Sequence, residues 1–192
     1  MASHSVTGLT EEQYLALERA ADFKSEYFDG EMFAMSGASV QHGRLQRNLI
    51  TELANSLRGT PCEPFGSDLR VRVSRRMYTY PDVTIVCGKP VLADERQDVL
   101  LNPTAIIEVL SPSTEKYDRG LKLQHYRAIE SLQDYILVDQ SQIRIEHYSR
   151  QDKNVWTLRD YQSLDEAMTI ASVGATLSLA RVYDRVEIPP EA

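Results

Sequence analysis

The chain has 192 residues, 26% of them charged and 42% hydrophobic, and a formal net charge of −7. That size suits one globular domain with a sizeable core over 1–192. The acidic balance excludes a generic nucleic-acid coat protein, which needs a large positive field, but not an enzyme that acts on nucleic acid. The apolar runs are too short to span a bilayer. The opening MASHSVTGLTEEQY lacks a basic segment followed by an apolar one, so the expectation is a cytoplasmic chain with no membrane partner. Cys62 and Cys87 are too few and too far apart for a disulfide framework or a zinc site.

In chain order, Thr10-Glu-Glu-Gln13 reads as a capping box that opens a helix through LALERA. SEYFDGEMFAMSG contains two short runs joined by Asp29-Gly30, a strong hairpin signal. Leu45, Leu49, Leu53 and Leu57 recur at i+4 and predict an amphipathic helix of about four turns, ended by Gly59 and Pro61. Residues 65–88 alternate like strand, with Leu69, Val71 and Val73 opposite Arg70 and Arg72, and YPDVTIV (80–86) as the second arm. Residues 89–102 are polar and irregular. AIIEVL (105–110) is a strand, 117–129 a helix, and DYILVD (134–139) a strand buried on both faces. QIRIEHYS and NVWTLRDY form a closing hairpin, and 175–186 is a last strand leading into a helical turn. The order predicts a mixed α/β fold in which helices flank a central sheet, preceded by a helix and a hairpin.

The chemistry centres on Glu108, a carboxylate in an apolar strand, where an unpaired charge costs several kcal/mol. It shares a face with Ile106 and Leu110, while Ile107 and Val109 point the other way. Asp82 follows Pro81 and precedes another apolar run, which puts it near a strand end. Two carboxylates on neighbouring strands repel unless a cation lies between them, and Mg²⁺ accepts such a set. The other reading of the same residues is structural: an aspartate that caps a turn and a glutamate paired with a buried arginine. Lys122 lies on the next helix, one turn beyond Asp118. It reads either as a surface pair with Asp118 or as an ammonium that reaches back to Glu108 to orient a water or neutralise phosphoryl charge. Basic residues cluster at Arg44 and Arg47, Arg70 and Arg72, Arg75 and Arg76, and Lys116 to Arg127; these are solvated faces or DNA-backbone contacts.

The ordered set YPDVTIV, AIIEVLSPST, DRGLK followed by Tyr126, and DYILVD resembles the Uma-two family of bacterial endonucleases. FDGEMFAMSGAS, with His42 entering a helix, resembles that family's opening, and the likeness spans about 10–185. The resemblance implies the PD-(D/E)XK nuclease superfamily and a restriction-endonuclease-like fold. It implies that Asp82, Glu108 and the backbone carbonyl of Val109 hold Mg²⁺ or Mn²⁺, and that Lys122 is the catalytic lysine. The superfamily's usual lysine position, two residues after the glutamate, is Leu110; Lys122 matches members whose lysine has moved to the following helix. His42 is a supporting residue at the border of the site. Glu31 reads as an exposed hairpin residue. By analogy the substrate is DNA and the protein a homodimer. The alternative is a non-catalytic nucleic-acid-binding or interaction module that keeps the fold. Without a separate recognition domain, any sequence specificity would come from loops such as 89–102.

Overall fold

Thr10 caps α1 (Glu11–Ala20): its hydroxyl accepts from the Gln13 N–H, and the Gln13 side chain accepts from the Thr10 N–H. The computed structural model describes residues 6–188, and the N-terminal stretch read for a signal segment lies partly outside them. Asp29 and Gly30 both take positive φ, as a two-residue hairpin turn requires. They join β1 (Ser25–Phe28) to β2 (Glu31–Ala34). Ser39 caps α2 (Val40–Ser56) by accepting from the His42 N–H. Its i+4 leucines Leu45, Leu49 and Leu53 are fully buried.

The segment 62–87 folds differently from the single hairpin its alternation predicts. It forms β3 (Cys62–Gly66), β4 (Arg70–Ser74), β5 (Met77–Thr79) and β6 (Val83–Cys87). β4 pairs with β5 and β3 pairs with β6, in two different sheets. Pro81 stands between β5 and β6; it has no N–H to give a ladder, so the chain leaves one sheet there and enters the other. Asp82 is therefore carried at a junction between sheets.

The chain continues with β7 (Val99–Leu100), β8 (Ala105–Leu110) and a helical connection made of α3 (Glu115–Tyr117), a π-helical turn (Asp118–Lys122) and α4 (Leu123–Tyr126). The connection ends at Tyr126 rather than at the expected 129. After it come β9 (Asp134–Asp139), β10 (Ile145–Asp152), β11 (Val155–Tyr161), β12 (Ala167–Ile170), β13 (Ala175–Ser178) and α5 (Leu179–Val182). A six-stranded mixed sheet runs β11-β10-β9-β8-β6-β3, and a five-stranded sheet runs β2-β1-β5-β4-β7. β12 and β13 form a ribbon.

β8 pairs parallel with β9 and antiparallel with β6, and all six of its residues are buried. Ile107 and Val109 join α2, β13 and α5 in one core, while Ile106 and Leu110 join Tyr126 and Tyr135 in a second core on the other face. A third cluster packs Tyr14 of α1 on Tyr27 and Tyr78. The face assignment made for Glu108 from alternation alone holds.

Cys62 and Cys87 are register partners across β3 and β6 and are disulfide-bonded, with Cα atoms 3.9 Å apart. Their sequence separation of 25 had argued against pairing; antiparallel register brings them together. A reducing compartment would leave two facing thiols instead. Closing a loop of this length stabilises a chain by about 3 kcal/mol. A Cys62→Ala/Cys87→Ala variant should therefore unfold at a clearly lower urea concentration than the oxidised protein, and at the same concentration as the reduced one. Equal midpoints for the oxidised protein and the variant would show that the bond contributes nothing.

Candidate active site

β8 ends its pairing with β6 at Ile107 opposite Val83, and the open edge beyond is filled by Asp82. The Val109 N–H donates to Asp82 Oδ2 at 2.7 Å. In an extended strand the N–H and C=O of one residue face the same edge, so the Val109 carbonyl is turned toward Asp82 as well. His42 Nε2 lies 2.8 Å from Asp82 Oδ1, and Gln46 Nε2 donates to the Asp82 carbonyl at 3.0 Å. The first turns of α2 thus fix Asp82 from the side away from the strand.

Glu108 points from the opposite face of β8 toward the helical connection. Its Oε1 accepts from Lys122 Nζ at 3.1 Å and from Tyr126 Oη at 2.9 Å. Its Oε2 has one long contact, 3.4 Å from the Asp82 N–H, and so retains most of its acceptor capacity. Lys122 Nζ also lies 3.0 Å from Glu26 Oε1 and 3.4 Å from Asp118 Oδ1. Asp118 and Lys122 open and close the π-helical turn, and both are buried. An extra residue in a helical turn is a frequent device at functional sites, and this one keeps both ends of the turn facing the sheet. The reach of Lys122 from its helix to Glu108, on which the displaced-lysine reading depends, is present.

Three carboxylates (Glu26, Glu108, Asp118) surround one buried ammonium, and Asp82 lies next to Glu108. Burial pushes the Glu108 carboxyl up to about 8; Lys122 opposes that rise, while Asp118, Asp82 and Glu26 add to it. Burial likewise raises Asp118 above the usual carboxylate range. Burial works against the charge of Lys122, but Glu108, Glu26 and Asp118 hold its pKa well above the ordinary lysine value. A pocket with excess buried negative charge takes up protons or a cation. Among the described residues no three His, Cys, Asp or Glu side chains gather as a metal cluster. Asp82 and Glu108 instead fit an ion that uses one or two carboxylates and completes its shell with a carbonyl and water.

The residues sit in a cleft of about 680 Å³, whose walls include 33–39 of the hairpin segment and 111–114, Tyr117 and Asp118 of the helical connection. Lys24, His42 and Lys122 line it, and no arginine does. The cleft lining leaves out Arg44, Arg47, Arg70 and Arg72, which the sequence offered as solvated faces or backbone contacts without a choice between the two. Arg70 is buried, with Nε donating to Tyr80 Oη at 2.8 Å. Arg44 is paired with Glu187 and Arg47 is bonded to Asn48. The stretch 89–102 lies outside the cleft; its Asp94 and Asp98 hold Arg19 of α1 at 2.7 and 2.6 Å. Glu31 is exposed, as expected.

Glu26 escaped the sequence reading. It alternates with the buried Tyr27 along β1 and carries no motif of its own, and its face of the hairpin lines the cleft. Tyr126 gave no signal beyond its place in a motif.

The sequence profile described as "Putative restriction endonuclease" matches residues 11–181. The chain belongs to this Uma2 family. A similar protein, slr1290 of Synechocystis sp., described as an uncharacterized protein, is 36% identical over 95% of this chain and 97% of its own length. A second Synechocystis protein, sll1609, is 38% identical over 79% of this chain and 86% of its own. A solved structure titled as a putative nuclease belonging to DUF820, from Anabaena variabilis, superposes with a TM-score of 0.76 over 93% of this chain and 99% of that one. At 18% identity that likeness is one of fold. The Uma2 description supports a nuclease, and with it a nucleic-acid substrate. No described helix is long and apolar enough to cross a membrane.

Proposed function

We propose that the chain is a metal-dependent endonuclease that hydrolyses DNA phosphodiester bonds. The observation that carries this reading is the convergence, in one cleft, of Asp82, the weakly bonded Oε2 of Glu108 and the ammonium of Lys122. Asp82, Glu108 and the Val109 carbonyl would hold Mg²⁺ or Mn²⁺, a set of hard oxygen donors suited to either ion. The bound cation would neutralise charge on the scissile phosphate and lower the pKa of its water.

The chain's own groups do the rest. Lys122 stays protonated beside three carboxylates, so it acts as a fixed positive charge facing the phosphate and not as a base. Tyr126 and Lys122 hold Glu108 Oε1 and leave Oε2 directed at the Asp82 side. His42 orients Asp82 by bonding the carboxylate oxygen that Val109 does not.

The test is incubation with plasmid and with single-stranded DNA in Mg²⁺, Mn²⁺ or EDTA, beside an Asp82→Ala variant. The expected result is cleavage that EDTA abolishes and that the substitution lowers by about 10²–10³-fold or more. Cleavage that survives either treatment would assign it to another site. If the protein cuts nothing and calorimetry detects no divalent cation bound, the non-catalytic module replaces this reading.

A further inference from the structure

The walls of the cleft differ from those of a groove that grips a duplex. β1 and β2 place Glu26 opposite Phe33, and the Met35 N–H donates to the Lys24 carbonyl at 2.9 Å, so Lys24 stands opposite Met35. Residues two apart on a strand share a face, as do cross-strand partners. Lys24, Glu26, Phe33 and Met35 therefore form one face, and all four line the cleft. The opposite face of β2 buries Met32 among the tyrosines of the third core. Phe33 and Met35 remain 38% and 37% exposed, an adjacent apolar pair where a nuclease would be expected to carry cations. Glu26 touches Lys122 at 3.0 Å, which puts Phe33 one side chain away from the lysine.

Affinity for a duplex comes from many Lys and Arg contacts to phosphates, and this cleft offers Lys24 and the buried Lys122 against four carboxylates. Lys24 is itself engaged: its Nζ donates to the Ser67 carbonyl at 2.9 Å and lies 3.1 Å from Asp68, which leaves the cleft still poorer in cations for a phosphate backbone. The reacting groups lie at the bottom, with Glu108 only 4% exposed. A cleft of about 680 Å³ is in the range of small-ligand sites. A flexible strand can lower one phosphate into it between the two walls. Single strands are held by bases stacked on aromatic side chains as well as by backbone cations, and stacking is a contribution that a closed duplex does not offer.

We propose that the cleft takes a single strand of DNA, with the base next to the scissile phosphate stacked on Phe33 and flanked by Met35. This deepens the phosphodiesterase reading and rests on it for the place of the scissile bond. The test measures fluorescence anisotropy of a labelled 12-nucleotide strand and of the blunt duplex of the same sequence, with the full chain in EDTA. The single strand should bind at least tenfold more tightly. Phe33→Ala should weaken the strand by about tenfold and leave the duplex unchanged, and Phe33→Trp should restore it. Phe33 is exposed, and thermal melting of each variant confirms that the fold is kept. Equal or tighter duplex binding, or a Phe33→Ala variant that binds the strand like wild type, overturns the proposal. Duplex cleavage in Mg²⁺ with no preference for the single strand would overturn it and leave the phosphodiesterase reading standing. Phe33-dependent binding of the strand without cleavage in Mg²⁺ or Mn²⁺ would support it and remove that reading.

Discussion

Replacing Lys122 by methionine should lower DNA cleavage by about 10²–10³-fold and also destabilise the fold by about 3–5 kcal/mol at pH 8. The two effects have one cause. Lys122 is the ammonium shared by Glu26, Glu108 and Asp118, and its removal leaves three carboxylates facing one another in a largely buried space. A carboxyl whose folded pKa is raised contributes stability that is fully present below its unfolded pKa and is lost as pH rises through the folded value. The variant should therefore approach wild-type stability near pH 5 and fall away progressively as pH rises from 5 through 8. Urea midpoints at the two pH values measure this. A deficit of the same size at both would mean that Lys122 contributes packing rather than charge.

Without metal, the wild-type protein should itself lose stability between pH 5 and 9. Glu108 is pushed up to about 8 by burial, against an ordinary glutamate value near 4.5, so its proton stabilises the fold below that window and is surrendered within it. Lys122, Tyr126, Asp82, Asp118 and Glu26 are the groups that face it. The carboxylates held low by arginine, Asp94 and Asp98 beside Arg19, lose their contribution as pH falls toward their depressed values, below this window; Glu146, which burial raises outside the cleft, adds to the loss above its ordinary value. A bound divalent cation replaces the proton, so the rise in Tm on adding Mg²⁺ should grow with pH. Binding near neutral pH should release a proton to the buffer, read by calorimetry in buffers of different ionisation enthalpy. A Tm that rises from pH 5 to 9 in EDTA, or cation binding without proton release, contradicts this assignment.

Much of the site was legible where periodicity and chemistry coincide. Alternation alone put Glu108 on the face of Ile106 and Leu110, and those two lie in the core beneath the helical connection. Spacing along the chain put Lys122 on the element after β8. Contacts made between sheets were not legible. Glu26 carries no motif of its own until the five-stranded sheet is set beside β8, and the Cys62–Cys87 bond exists only because β3 returns antiparallel to β6. Pro81 was readable as a strand boundary but not as the crossing between two sheets. The basic clusters misled for a similar reason: Arg70 alternates like an outward residue, yet it packs over the rings of Tyr14 and Tyr80. Local pattern specifies which face a side chain takes; it does not say what the other sheet places against that face.

Anomalous diffraction from crystals soaked in Mn²⁺ would show whether Asp82 and Glu108 share a cation, as proposed. The expected result is one strong peak about 2.0–2.6 Å from a carboxylate oxygen of both residues and from the Val109 carbonyl, with Lys122 still bonded to Glu108. A peak held by other groups, or none between Asp82 and Glu108 at a concentration that saturates binding in solution, would contradict it.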